Sequence, residues 1–291
     1  MISRRQIVNR LTRGSLHRDA ISIVGMPRIG KTTLANKVYD DPEIVGYYHT
    51  RAWCYVSQVY TERDLLLEIL SHIIQLVDNI HSMEDEDLEL LLCQSLGRNQ
   101  YLIFMDDMSD IGAWDDLQSS FPNDQNGSTI LITSSLSGVV FKVTLESNLF
   151  NLRPLSDDET WELQRMKIFP KQCCSEELWE VEKDNARKCQ GLPLSFVAIA
   201  GLLKWRNMKP ESWKQIARSL NPLITSDPQR RCMQILELSY KNLPNWLKAC
   251  FLCLVVFQED EEISVQNLTW LWMVEGCWHK KNGDSGSNFD T

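Results

Sequence analysis

The apolar positions along this chain follow two different spacings. Short runs bounded by turn residues have the length and composition of strands buried on both faces: Ala20-Ile21-Ser22-Ile23-Val24, Ala52-Trp53-Cys54-Tyr55-Val56, Tyr101-Leu102-Ile103-Phe104-Met105 and Thr129-Ile130-Leu131-Ile132-Thr133. Between them the apolar residues recur at helical spacing, with Leu66, Ile69, Leu70, Ile73 and Ile74 on one face of 63–77 and a further helix over 88–96. The polar, acidic segment 78–89 reads as a solvated loop and helix start. A less regular run at 143–152 predicts a fifth strand, and Ile2, Ile7, Val8 and Leu11 predict a short leading helix. Strands alternating with helices predict an α/β fold with a parallel sheet over residues 1–152.

From Ser156 onward only the helical period remains. Ser156-Asp157-Asp158-Glu159 has the form of a capping box, and helices are predicted at 176–189, 194–205 and 213–220. Asn221-Pro222 and Asp227-Pro228 mark a linker, beyond which 233–240, 246–257 and 265–274 are helical in period. The pattern therefore divides the chain into residues 1–152, 153–222 and 223–291, with the Gly/Ser-rich end at 283–291 expected to fray.

The chemistry lies where the first strand turns into a helix. Gly25-Met26-Pro27-Arg28-Ile29-Gly30-Lys31-Thr32-Thr33 fits G-x-x-x-x-G-K-[ST], a phosphate-cradling loop. Backbone N–H groups at a helix N-terminus point at phosphate oxygens, and the helix dipole adds favourable potential. Lys31 is expected to neutralise the β- and γ-phosphates of ADP or ATP, and the Thr32 hydroxyl to ligate Mg²⁺. Asp106 and Asp107 close the third apolar strand, at the edge where α/β sheets bind ligands. Asp106 is expected in the Mg²⁺ shell, and Asp107 as the catalytic group that polarises a water.

Composition mainly excludes. A hydrophobic fraction of 43% and a charged fraction of 24% are ordinary for globular proteins. A formal net charge of −9 argues against a nucleic-acid binder that works by phosphate neutralisation. Residues 237–281, where a winged helix could read DNA, hold four lysines against six acidic residues. No apolar run reaches the length of a membrane span, 192–203 being too short, and no signal peptide is visible. The nine cysteines have no framework spacing and fit reduced cytoplasmic thiols; Cys250-x-x-Cys253 lacks the second pair that zinc would need.

Together these blocks resemble the nucleotide-binding (NB-ARC) module of plant coiled-coil-type, leucine-rich-repeat disease-resistance proteins, the late blight resistance homologues in particular. The similarity extends beyond the phosphate loop to 51–58, 127–133, 155–161, Gly191-Leu192-Pro193-Leu194 and 236–276, including Cys250-Phe251-Leu252 and Trp270-Leu271-Trp272. The resemblance implies a P-loop domain, a small helical domain and a partial winged-helix domain. It implies a switch in which ADP holds the closed state, while exchange for ATP accompanies opening, oligomerisation and the hypersensitive defence response. It implies that Pro193 sits at the adenine side. Protein partners would act through coiled-coil and leucine-rich-repeat regions that this sequence lacks, along with the family's Val-Gly segment and Met-His-Asp motif, so a truncated product is expected. A cytoplasmic or membrane-peripheral location is implied as well.

The departures from that pattern sharpen the expectation. Arg28 stands where the family usually has Gly, and a left-handed backbone there would cost about 1–2 kcal/mol. Ser135, preceded by Ser134, stands where an Arg usually senses the terminal phosphate; losing a charged hydrogen bond costs about 1.5–3 kcal/mol and falls mainly on ATP. Met108-Ser109 replace the usual Val-Trp. The expected function is an ADP-biased switch with at most slow hydrolysis. The alternatives are an active P-loop ATPase, which Asp106 and Asp107 permit and Ser135 disfavours, or a fragment that binds no nucleotide.

Overall fold

The computed structural model describes residues 3–14, 16–56, 58–75, 80–97, 99–168, 191–205, 228–257 and 263–276. Five parallel strands form one sheet: β1 (Asp19–Val24), β2 (Thr50–Tyr55), β3 (Tyr101–Asp106), β4 (Thr129–Ser134) and β5 (Leu149–Asn151). Their order is β2-β3-β4-β1-β5, so β1 has β4 on one side and β5 on the other. The chain leaves β1 for the far edge and later returns past it to β5. Such a reversal opens a crevice at the carboxyl ends of the strands, next to β1.

Around the sheet lie α1 (Arg4–Thr12), α2 (Lys31–Tyr39), α3 (Pro42–Tyr47), α4 (Glu62–Ile73), α5 (Asp85–Leu96), α6 (Gly112–Leu117) and α7 (Ser137–Val140). The period-2 alternation of the strands sorts their side chains between two cores. Ile103, Met105, Ile130 and Ile132 face α4, α5 and α6, whereas Leu102, Phe104, Leu131, Ile21 and Ile23 face α1, α2 and α3. On the second face Trp53 stacks on Phe104 with centroids 5.0 Å apart, and Tyr39 of α2 meets both rings edge-on. Aromatic pairs of this kind add about 0.5–1.5 kcal/mol each beyond area burial. They fix α2, and with it the loop that precedes it, against the sheet.

Beyond the sheet follow α8 (Asp157–Ile168), α9 (Pro193–Trp205), α10 (Pro228–Lys241), α11 (Asn245–Leu252) and α12 (Val265–Val274). The capping box at α8 forms: the Ser156 N–H donates to Glu159 Oε2 at 2.8 Å and the Glu159 N–H to Ser156 Oγ at 3.2 Å. Arg153 binds the same carboxylate at 2.8 and 3.1 Å. The guanidinium and the Ser156 N–H together hold the Glu159 pKa down to about 2.

Several boundaries differ from the sequence pattern for local reasons. Helix α4 ends at Ile73, short of the expected 77. Helix α5 starts at Asp85, ahead of the apolar residues, because Asp85, Glu86 and Asp87 suit the positive end of the helix dipole. The expected strand at 143–152 is confined to Leu149–Asn151, after α7 and a 3₁₀ turn at Glu146–Asn148. Helix α6 was not indicated by the pattern, and α11 gives way at Leu252 to a 3₁₀ turn over Cys253–Val256. The helices expected at 176–189 and 213–220, the linker at 221–227 and the tail at 283–291 lie outside the described residues. Among the described residues no helix is long and apolar enough to cross a membrane. Cys250 is buried, and its carbonyl accepts a 2.9 Å hydrogen bond from Trp272 Nε1.

Candidate functional site

The loop after β1 is pinned from both sides. The Gly25 N–H donates to Ser134 O of β4 at 3.4 Å, and the Leu152 N–H, just past β5, donates to Val24 O at 2.7 Å. A Cβ on Gly25 would lie 3.0 Å from Leu152 O and 3.1 Å from Ile29 Cγ2, so glycine is what lets the loop turn this closely. Ile29 is buried beneath, Met26 and Pro27 are half-buried, and Thr33 is exposed on α2. Gly30 caps α2 at φ +99°, in the region that favours glycine. Arg28 also has a positive φ, +65°, so the strain that was conditional in the sequence is present. Its guanidinium leaves the loop toward α10, where Nη2 lies 3.6 Å from Met233 Sδ.

Pro193, the first residue of α9, reaches the same loop. Its Cγ lies 4.0 Å from where a Cβ of Gly30 would be. Gly191 makes this approach possible: it has φ +72°, its carbonyl accepts from the Leu155 N–H at 3.0 Å, and a Cβ there would fall 2.1 Å from Leu155 O.

Lys31 is only 6% exposed. Its three ammonium protons meet three acceptors: Gly25 O at 3.2 Å, Met26 O at 3.4 Å and Ser135 Oγ at 2.7 Å. Burial lowers its pKa from the ordinary lysine value, with the charges of Asp107 and Asp106 opposing the shift. A buried cation with carboxylates near it would be stabilised further by a phosphate. Thr32 Oγ1, on the first turn of α2, donates to Asp106 Oδ1 at 3.1 Å. Asp106 is itself buried at the end of β3. A hydroxyl and a carboxylate side by side are the hard oxygen donors that Mg²⁺ takes, so these residues fit that ion.

Asp107 sits at φ +55° with its carboxylate exposed, and its N–H donates to Thr133 Oγ1 at 2.9 Å. Thr133, which the sequence pattern did not single out, belongs to this candidate site. Its hydroxyl also binds Asp106 Oδ1, so it positions both acids. The β3–β4 register, with Met105 opposite Ile132, places Thr133 beside Asp106. Ser134 organises the next turn: its Oγ donates to Met108 O at 2.7 Å and accepts from the Leu136 N–H at 3.0 Å. Met108 is fully buried in the core beneath α6, which gives the departure at that position a packing role. A cavity of about 560 Å³ adjoins Ser135, lined also by Ser109, Asp110, Ser137 and Lys142.

The structure thus brings Gly25 to Thr32, Asp106, Asp107 and Pro193 together at the carboxyl end of the sheet. The NB-ARC domain family model matches residues 3–174. Late blight resistance protein homologue R1B-16 of Solanum demissum is 39% identical over 275 residues, spanning 94% of this chain and 21% of that protein. Homologue R1B-14 of the same species is 38% identical over 276 residues, again spanning 94% of this chain and 21% of the relative. The chain therefore spans about a fifth of the length of these curated relatives. Among solved structures, a signal transduction ATPase with numerous domains and a tetratricopeptide repeat sensor, from Pyrococcus horikoshii, superposes with a TM-score of 0.54. It is 18% identical and covers 95% of this chain and 39% of its own, a likeness of fold.

Proposed function

Since the chain belongs to the NB-ARC family, we propose that it is the nucleotide-binding switch module of a plant immune receptor, and that it favours ADP. The observation that carries this is the convergence of Lys31, Thr32 and Asp106 on one glycine-bounded loop. In this reading the loop amides and Lys31 hold the phosphates, Pro193 borders the base, and Thr32 with Asp106 holds Mg²⁺, which supplies charge neutralisation when bound. Asp107, held by Thr133, is the group that can orient a water. Ser135 offers the terminal phosphate a hydroxyl and no charge, so hydrolysis is slow and ATP gains little over ADP.

The division into residues 1–152, 153–222 and 223–291, the cytoplasmic location and the defence role belong to this proposal. So do protein partners engaged through regions outside the span shared with the relatives. Calorimetry with ADP and Mg²⁺ tests it. Saturable binding in the micromolar range, about 8 kcal/mol, is expected. A folded protein without saturable binding overturns the proposal, and several turnovers per second in a phosphate-release assay would favour an active ATPase instead.

A further inference from the structure

We infer that Met233 is a positioning residue for the phosphate loop, acting through Arg28. The inference rests on the nucleotide-binding reading above, and it concerns two residues far apart in sequence. Arg28 and Met233 are separated by 205 positions, and the Nη2–Sδ contact of 3.6 Å joins the loop after β1 to α10.

Arg28 holds a left-handed backbone within the loop. Strain of this kind persists where surrounding contacts hold the residue. A guanidinium carries five N–H donors, and the partner that the described residues offer Arg28 is the thioether sulfur, a weak acceptor. The contact is weak, but its position gives it leverage. Helix α10 packs along α9, and the first residue of α9, Pro193, abuts Gly30. The two helices therefore meet the loop at Gly30 and at Arg28, the two left-handed positions that shape it.

A side chain tethered at its far end restricts its own backbone. With Arg28 held by Met233, less conformational freedom is lost when phosphate orders the loop. Met233 thus raises nucleotide affinity without touching the nucleotide. By linkage, bound nucleotide strengthens the hold on α10 to the same degree. Arg28, which as a strained residue weakens the loop, in this way also couples it to the third unit of the chain.

The test is a double-mutant cycle in the full chain, read by calorimetry with ADP and Mg²⁺. Met233→Leu keeps the bulk and removes the acceptor; Met233→Gln replaces the sulfur with a carbonyl oxygen. In the Arg28 chain, M233L is expected to weaken ADP binding about threefold, and M233Q to retain it. In the R28G background, both variants should bind ADP as the R28G chain does. Equal effects in both backgrounds, or no effect of M233L on the Arg28 chain, would overturn the inference. Hydrogen exchange without nucleotide tests the tie separately: R28G should speed exchange in α10, and unchanged exchange there contradicts it. If the unaltered chain binds no ADP, the switch reading falls, while the exchange result still decides whether Arg28 holds α10.

Discussion

The turn after β1 and the turn after β4 leave the same edge of the sheet, side by side, yet they offer a phosphate different things. The β1 turn supplies glycine backbone, a buried ammonium from Lys31 and the first amides of α2. The end of β4 and its turn supply Thr133, Ser134 and Ser135, and their hydroxyls serve other protein groups: Asp106, the Met108 carbonyl and Lys31. One turn brings charge to a ligand, and the other positions the groups that bring it. In the proposed reading the first turn is a cradle for a diphosphate, while the place where a third phosphate would be sensed holds the neutral Ser135 side chain. That contrast underlies the proposed preference for ADP.

The contrast breaks most completely at Lys31. Lys31→Met keeps an apolar stem in the buried slot and removes the cation, with its charge-assisted hydrogen bonds to phosphate. ADP affinity should fall on the order of 100-fold by calorimetry, with the thermal unfolding midpoint retained. A fall of less than threefold would mean that the phosphates are held elsewhere.

A smaller change sharpens the contrast at the other turn. Ser135→Arg adds a cation beside Asp110 and the adjoining cavity, which has room for it. A non-hydrolysable ATP analogue should then tighten about tenfold relative to ADP. Equal tightening of both nucleotides would show that position 135 acts on general potential and does not read the terminal phosphate.

Much of the sheet and most of the candidate site were legible in the sequence, for a physical reason. Strands β1 to β4 are buried on both faces, so each is a nearly unbroken apolar run with polar ends. The loop is legible because its backbone demands glycine at 25 and 30. Strand β5, three residues long, and the six-residue α6 are too short to carry a period. Thr133 was missed because its role comes from strand register, and a threonine ending a strand is unremarkable. Arg28 could be flagged as strained if left-handed, but its partner on α10 is a tertiary fact that no local pattern contains. The three-residue advance of α5 likewise lies in polar residues that apolar spacing ignores.

Mass spectrometry of the nucleotide that co-purifies with the unaltered chain puts the contrast between the two turns to its most direct test. ADP retained without added ligand, in clear excess over ATP, is the expected result. A folded protein that carries no nucleotide, or one that carries predominantly ATP, would contradict an intact diphosphate cradle beside a neutral terminal-phosphate position.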